Sequence, residues 1–180
     1  MKQFTSGELV GNGAAQNVEL GWIPDLVIVN NVTGGDRMSI GYPNRMAIPF
    51  SDGGDDAEIV VGEKITGATT GATAVIKTIL LYSGTWAAGD AAGFFIIERD
   101  TLTGTFGSEQ VLGASGGGDA TVTVNVNHTV EVDLDNLALV TGTSAISAYV
   151  GVDATNSKGF TIGAVIAEEA HLLRWTAFRN

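Results

Sequence analysis

The sequence contains no cysteine. That excludes disulfides, thiolate nucleophiles and cysteine-ligated zinc together, and it suits assembly in a reducing cytoplasm. Proline is scarce, with 3 in 180 residues, and the only histidines are His128 and His171. Charged residues make up 16% of the chain, against about 25% in ordinary globular proteins. Basic residues are the scarcer sign: 9 against 20 acidic ones, a net charge of −11. Nucleic-acid binding needs a basic footprint, so no nucleic-acid partner is expected. No apolar run reaches the length of a membrane-spanning helix. The opening Met1-Lys2-Gln3-Phe4-Thr5-Ser6 lacks the apolar core of a signal peptide, and no membrane partner is expected either.

What is present is the material of short strands and tight turns. Hydrophobic residues reach 44%, with 25 glycines, a balance unlike that of a solvated disordered chain. The dominant period is two. Apolar residues alternate through Val18-Glu19-Leu20-Gly21-Trp22. Leu26-Val27-Ile28-Val29 is continuous, as in a strand buried on both faces. Gly11-Asn12-Gly13, Ile23-Pro24-Asp25 and Thr33-Gly34-Gly35-Asp36 read as turns, the first of them after a strand near Phe4 to Val10. Pro43 and Pro49 limit regular pairing between 31 and 56, and Ser51-Asp52-Gly53-Gly54-Asp55-Asp56 reads as a linker. Later strands are expected at 145–152, at Phe160-Thr161-Ile162 and at 172–178. Only Ala164 to His171 has a composition suited to a turn or so of helix.

The middle of the chain repeats itself. Glu63-Lys64-Ile65-Thr66-Gly67-Ala68-Thr69 and Glu109-Gln110-Val111-Leu112-Gly113-Ala114-Ser115 share the pattern Glu-x-[Ile/Val]-x-Gly-Ala-[Thr/Ser]. Each runs through a glycine turn into a β-branched strand, at 72–76 and at 120–124. Two copies are too few for a solenoid. The expected fold is all-β: a β-sandwich framework from residues 1–56 and 128–180, with a small β-barrel or sandwich module over 57–127 that carries an imperfect internal duplication. Neither flanking half has enough strands to close a core alone, and insertion at a loop tip is tolerated. The alternative is two domains in tandem.

Candidate chemistry is thin. No Gly-x-Ser-x-Gly elbow accompanies His128, and His171 has only Glu168 and Glu169 beside it. Asp52, Asp55 and Asp56 lack the alternate spacing and distal glutamate of an EF-hand loop. Ser115-Gly116-Gly117-Gly118-Asp119 lacks the lysine of a phosphate loop. No catalytic, cofactor or metal residue is therefore expected. Four residues remain as surface contacts. Glu131, Asp133 and Asp135 lie on one face of an alternating strand, about 6 to 7 Å apart at each step of two. There they would meet basic groups of a partner or simply form a wet face. Trp86 follows a turn on the module, where it would serve either as a sugar platform or as core. Trp22 and Trp175 read as core.

Two stretches resemble virion proteins of tailed bacteriophages. Gly62-Glu63-Lys64-Ile65-Thr66-Gly67-Ala68-Thr69-Thr70-Gly71-Ala72-Thr73-Ala74-Val75 resembles a Gly-x-x-Val-Thr-Gly-x-Thr-Ser-Gly-Ala-Thr-Ala repeat found in phage head and tail proteins. Gly84-Thr85-Trp86 and Gly104-Thr105-Phe106-Gly107-Ser108-Glu109 fit the same module. Residues Leu20 to Val27, with Gly159 to Gly163 and Leu173 to Ala177, resemble the opening and closing segments of small phage structural proteins. The resemblance covers about two-thirds of the chain in scattered pieces, and its motifs are made of common strand and turn residues. It implies a non-enzymatic virion structural protein on the outer surface of the particle, assembled in the host cytoplasm. The expected role is a capsid cement (decoration) protein, a homo-oligomer and favourably a trimer, bound to the major capsid protein or other virion subunits. The alternative is a receptor- or carbohydrate-binding component of the tail or of a head fibre.

Overall fold

A computed structural model describes residues 2–35, 37–54, 57–114, 117–123, 128–133, 138–142, 146–151 and 158–180, the segments 128–133 and 138–142 by their backbone alone. The chain is all-β, and its described helical residues are confined to two single 3-10 turns, Trp86–Ala88 and Arg99–Thr101. It divides into two compact units. Unit 1 combines Met1–Asn44 with His128–Asn180, and unit 2 is Arg45–Asn127.

Unit 1 contains β1 (Gln3–Val10), β2 (Gln16–Glu19), β3 (Leu26–Asn31) and the first part of β4 (Arg37–Gly53). After unit 2, which carries β5 to β9, it resumes with β10 (His128–Asp133), β11 (Ala138–Gly142), β12 (Ile146–Tyr149), β13 (Gly159–Ile162) and β14 (Leu172–Arg179). One sheet has the order β1-β14-β3-β4, and a three-stranded sheet has the order β12-β13-β2. Each sheet contributes one apolar face. Val27, Val29, Leu173 and Ala177 from the first pack with Ile146, Phe160 and Ile162 from the second. Ile166 and Ala167, from the turn before β14, join the same core. The two layers approach closely at Gly41, where a Cβ would lie 2.6 Å from Cβ of Ile146. This is a β-sandwich. The run Leu26 to Val29 is not buried on both faces as its continuity suggested. Val27 and Val29 enter the core while Leu26 and Ile28 stay half-exposed, because the second layer covers only one face of β3. The 164–171 segment forms turns closed by Ile166 and Ala167 N–H on the Gly163 carbonyl, not a helix.

Unit 2 is a closed barrel. Besides the second part of β4 it contains β5 (Lys64–Gly67), β6 (Thr73–Ser83), β7 (Ala91–Glu98), β8 (Glu109–Gly113) and β9 (Asp119–Val122). The order β4-β7-β6-β5-β8-β9 returns to β4 through Phe50↔Val122 and Ser51↔Thr121. Closure removes the open edges that a short sheet would otherwise leave unpaired. The interior is filled by side chains, among them Ile48, Phe50, Ile59, Ile65, Ile76, Phe95, Ile97, Val111 and Val122.

β4 departs from the sequence reading, which placed irregular chain here and a linker at 51–56. It is a 17-residue strand that ends only at Gly53. The prolines are accommodated by position. Pro43 falls between the register with β3, which ends at Gly41, and the register with β7, which starts at Arg45. Pro49 lies opposite Phe94, and its carbonyl accepts the Thr123 N–H at 3.2 Å, so it serves the ladder as an acceptor. Gly53 is buried. The division between the units falls inside this strand, at Asn44 and Arg45. Residues 55 and 56 lie outside the described ones.

The two halves of the barrel repeat in register. In β5–β6, Lys64, Ile65 and Thr66 lie opposite Val75, Ala74 and Thr73. In β8–β9, Gln110, Val111 and Leu112 lie opposite Thr121, Ala120 and Asp119. Each pair recurs 46 residues on, as from Ile65 to Val111 and from Ala74 to Ala120. The turns match as well: Gly67 N–H bonds the Ala72 carbonyl, and Gly113 N–H bonds the Gly118 carbonyl, both at 2.8 Å. β5 and β8 pair antiparallel with Ile65↔Gly113 and Gly67↔Val111, so exchanging the copies leaves the pairing unchanged. A local pseudo-dyad therefore passes between Thr66 and Leu112.

Candidate functional site

On either side of this pseudo-dyad, the first residue of each repeated motif is a buried glutamate. Glu109 is 6% exposed and Glu63 is 7% exposed. Glu109 starts β8, and its carboxylate reaches back across Gly67 to the turn after β5. Oε2 accepts the N–H groups of Thr69 at 2.7 Å and Thr70 at 2.9 Å. Oε1 accepts the Thr70 hydroxyl and the Gly107 N–H, the latter at 3.0 Å. Burial alone would raise the carboxyl pKa. The Thr70 hydroxyl and the N–H groups of Thr70, Gly107 and Thr69 outweigh it and hold the pKa at about 2, because every donor favours the charged form. With two donors on each oxygen and its ionisation locked, this group is poorly placed to pass protons near neutral pH. Its work is to tie a turn to a strand.

Glu63 takes the equivalent position. Its Oε2 accepts the Val60 N–H at 3.0 Å, while its own N–H bonds the Val60 carbonyl. Each carboxylate lies over the glycine of the other copy: a Cβ on Gly67 would lie 2.5 Å from Glu109 Oε1, and a Cβ on Gly113 would lie 2.6 Å from Glu63 Oε1. The sequence carried this signal in the Glu-x-x-x-Gly spacing of both motifs. Its role was hidden because the glutamate serves the opposite copy's glycine, a contact that only the β5–β8 register creates.

Trp86 lies half-buried in the 3-10 turn between β6 and β7. Its ring stacks on Phe50 at a centroid distance of 5.5 Å and 17°, and Phe50 stacks on Phe95 at 4.0 Å and 9°. The ring rests over Gly53, whose Cβ would meet Cζ3 at 2.7 Å. One ring face is thus engaged in packing against the barrel core. The more exposed aromatic of the hairpin is Tyr82, 66% exposed, with Phe94 beside it at 5.9 Å. Trp175 packs edge-on against Phe160, and both Trp175 and Trp22 lie against the unit 1 core.

Glu131 and Asp133 lie two residues apart on β10, paired with Val140 and Ala138 of β11. Asp135, expected on the same face, lies outside the described residues. His128 begins β10. His171 sits between Asn31, at 3.1 Å from Nδ2, and Glu168 Oε2, at 3.0 Å. Asn31 in turn accepts the Gly34 N–H at 2.7 Å, so this histidine belongs to a network joining the end of β3 to the turn before β14. Asp52 has a left-handed backbone, φ 51°, and accepts the Ser51 hydroxyl. Among the described residues no group of three or more His, Asp or Glu is gathered as metal ligands, and no helix is long and apolar enough to cross a membrane.

No protein-family model, curated protein or solved structure matches this chain.

Proposed function

We propose that this chain is a non-enzymatic structural protein of a bacteriophage particle, a capsid cement protein that binds the major capsid protein on the outer shell and bridges neighbouring subunits. The observation that carries the reading is the construction of unit 2. A repeated phage-like motif closes a barrel whose interior is packed with side chains and whose buried carboxylates are spent on its own turns. Such a module offers outer surfaces for contact. Supporting it are the resemblance of residues 62–75 to the phage repeat and the acidic, low-charge composition. The mechanism is multivalency: many modest contacts, repeated over a shell at favourably three-fold positions, resist expansion together. Purified protein added to expanded capsids is expected to bind at saturable sites and raise their melting temperature. Capsids that melt unchanged, with no protein bound, would overturn the reading.

The second reading is a receptor- or glycan-binding piece of the tail or of a head fibre. It is favoured by the β6–β7 hairpin, where Tyr82 is exposed and Trp86 half-buried beside it in sequence. A glycan array with the purified chain separates the two. Specific binding abolished by Trp86→Ala supports this reading, and a blank array removes it.

A further inference from the structure

The first strand of unit 1 is paired on one side. β1 runs against β14 along its whole length, from Gln3↔Arg179 to Val10↔Leu172 without a register shift. It ends the strand order of its sheet. Among the described residues its outer edge meets no other strand. This edge is eight residues long and contains no proline, no lysine and no bulge, the devices by which natural sheets keep open edges from pairing.

Its side chains suit a partner identical to itself. Phe4, Ser6, Glu8 and Val10 are its exposed residues, and Phe4 is 67% and Val10 60% exposed. Antiparallel pairing centred on Gly7 sets Phe4 opposite Val10, Ser6 opposite Glu8 and Thr5 opposite Leu9, each pair on one face. The two exposed apolar residues are then covered twice over, and neither copy's Glu8 faces the other's. Charge argues the same way. Copies carrying −11 repel one another, but the one charge on β1, Glu8, is bonded to Arg174 Nε at 2.8 Å, so the edge is locally neutral. Trp175 lies beneath the centre, where a Cβ on Gly7 would come within 2.5 Å of its ring. Among the described residues the outer row is encumbered at its end, where Gln16 Nε2 donates to the Val10 carbonyl at 3.2 Å.

We infer that β1 is a two-fold interface, to which the β1 of a second copy of this chain adds antiparallel, making one sheet across both. The recognition is main-chain hydrogen bonding, with the Phe4–Val10 pairs setting the register. The interface stands apart from the phage reading. A dyad makes pairs, so on a shell it would join copies belonging to neighbouring clusters rather than close a trimer.

Sedimentation of the full chain is expected to give a dimer or an even multiple. Phe4→Lys with Val10→Lys sets lysines opposite one another, and is expected to weaken pairing by roughly tenfold or more while far-UV circular dichroism stays that of the parent. Because the chain has no cysteine, register can be read covalently. Ser6→Cys with Glu8→Cys is expected to form a disulfide-linked dimer on oxidation, and either change alone is not, since like positions lie too far apart for a bridge. The inference is overturned by a parent chain that stays monomeric at high concentration. It is also overturned by an odd-numbered assembly that survives the lysine variant, or by single-cysteine variants that cross-link as fully as the double one.

Discussion

The glutamates of the repeated motif show how much a single buried side chain organises here. Glu109 collects four donors from two segments of chain, and its ionised form is the one they stabilise. Its pKa in the folded chain, about 2, lies below the ordinary value of 4.5. The sign follows from linkage: the carboxylate's contribution is complete above pH 4.5 and is lost as pH falls toward 2. Melting temperature should therefore fall with acidification through that window. In Glu109→Gln it should be lower at neutral pH and flatter across the window. A parent and variant with parallel pH profiles would remove Glu109 as the cause. Thr70 supplies both a hydroxyl and an N–H, so Thr70→Val, which keeps the N–H, should fall between the two.

At the scale of elements, the barrel contains a pair of hairpins, β5–β6 and β8–β9, turned about a pseudo-dyad, and the dyad makes its own test. Gly67→Ala and Gly113→Ala each push a Cβ against the other copy's carboxylate. Both should destabilise, by roughly 1 to 3 kcal/mol each, as overpacking does. Comparable losses in urea denaturation would show that the copies carry equal mechanical roles. Gly71→Ala differs in kind. Nothing lies within 4 Å of its Cβ, but its φ is 68°, so the cost comes from the left-handed backbone alone, about 1 kcal/mol. The barrel core also holds Phe95 of β7 stacked on Phe50 of β4. Phe95→Ala should cost about 3 to 5 kcal/mol, read from the same denaturation curves.

At the scale of the whole molecule, the two units treat their sheet edges differently. Unit 2 has closed its sheet on itself, whereas unit 1 leaves β1 as an edge with exposed apolar residues at both ends. The proposed self-pairing through β1 and the proposed shell binding separate experimentally. Phe4→Lys with Val10→Lys should weaken self-pairing by the same roughly tenfold or more. If capsid melting still rises on adding this variant, shell binding does not depend on the β1 dyad. If the rise is lost, the two contacts act as one.

The sequence by itself determined the all-β class, the presence of strands at β1, β3 and β14, and the repeat that builds the barrel. All of these rest on local period and turn chemistry, which a chain carries in its order of residues. It misread 37–53, because proline and glycine were taken as interruptions, while β4 absorbs Pro43 between registers and uses Pro49 as an acceptor. It saw Trp86 as exposed or core without deciding, since the Phe50 stack and the gap over Gly53 join residues distant in the chain. Barrel closure through β4–β9, the burial of Glu63 and Glu109, and the open edge of β1 were decided only by tertiary structure. Each depends on which strands become neighbours, and neighbourhood across a sheet is a long-range pairing that no local pattern specifies.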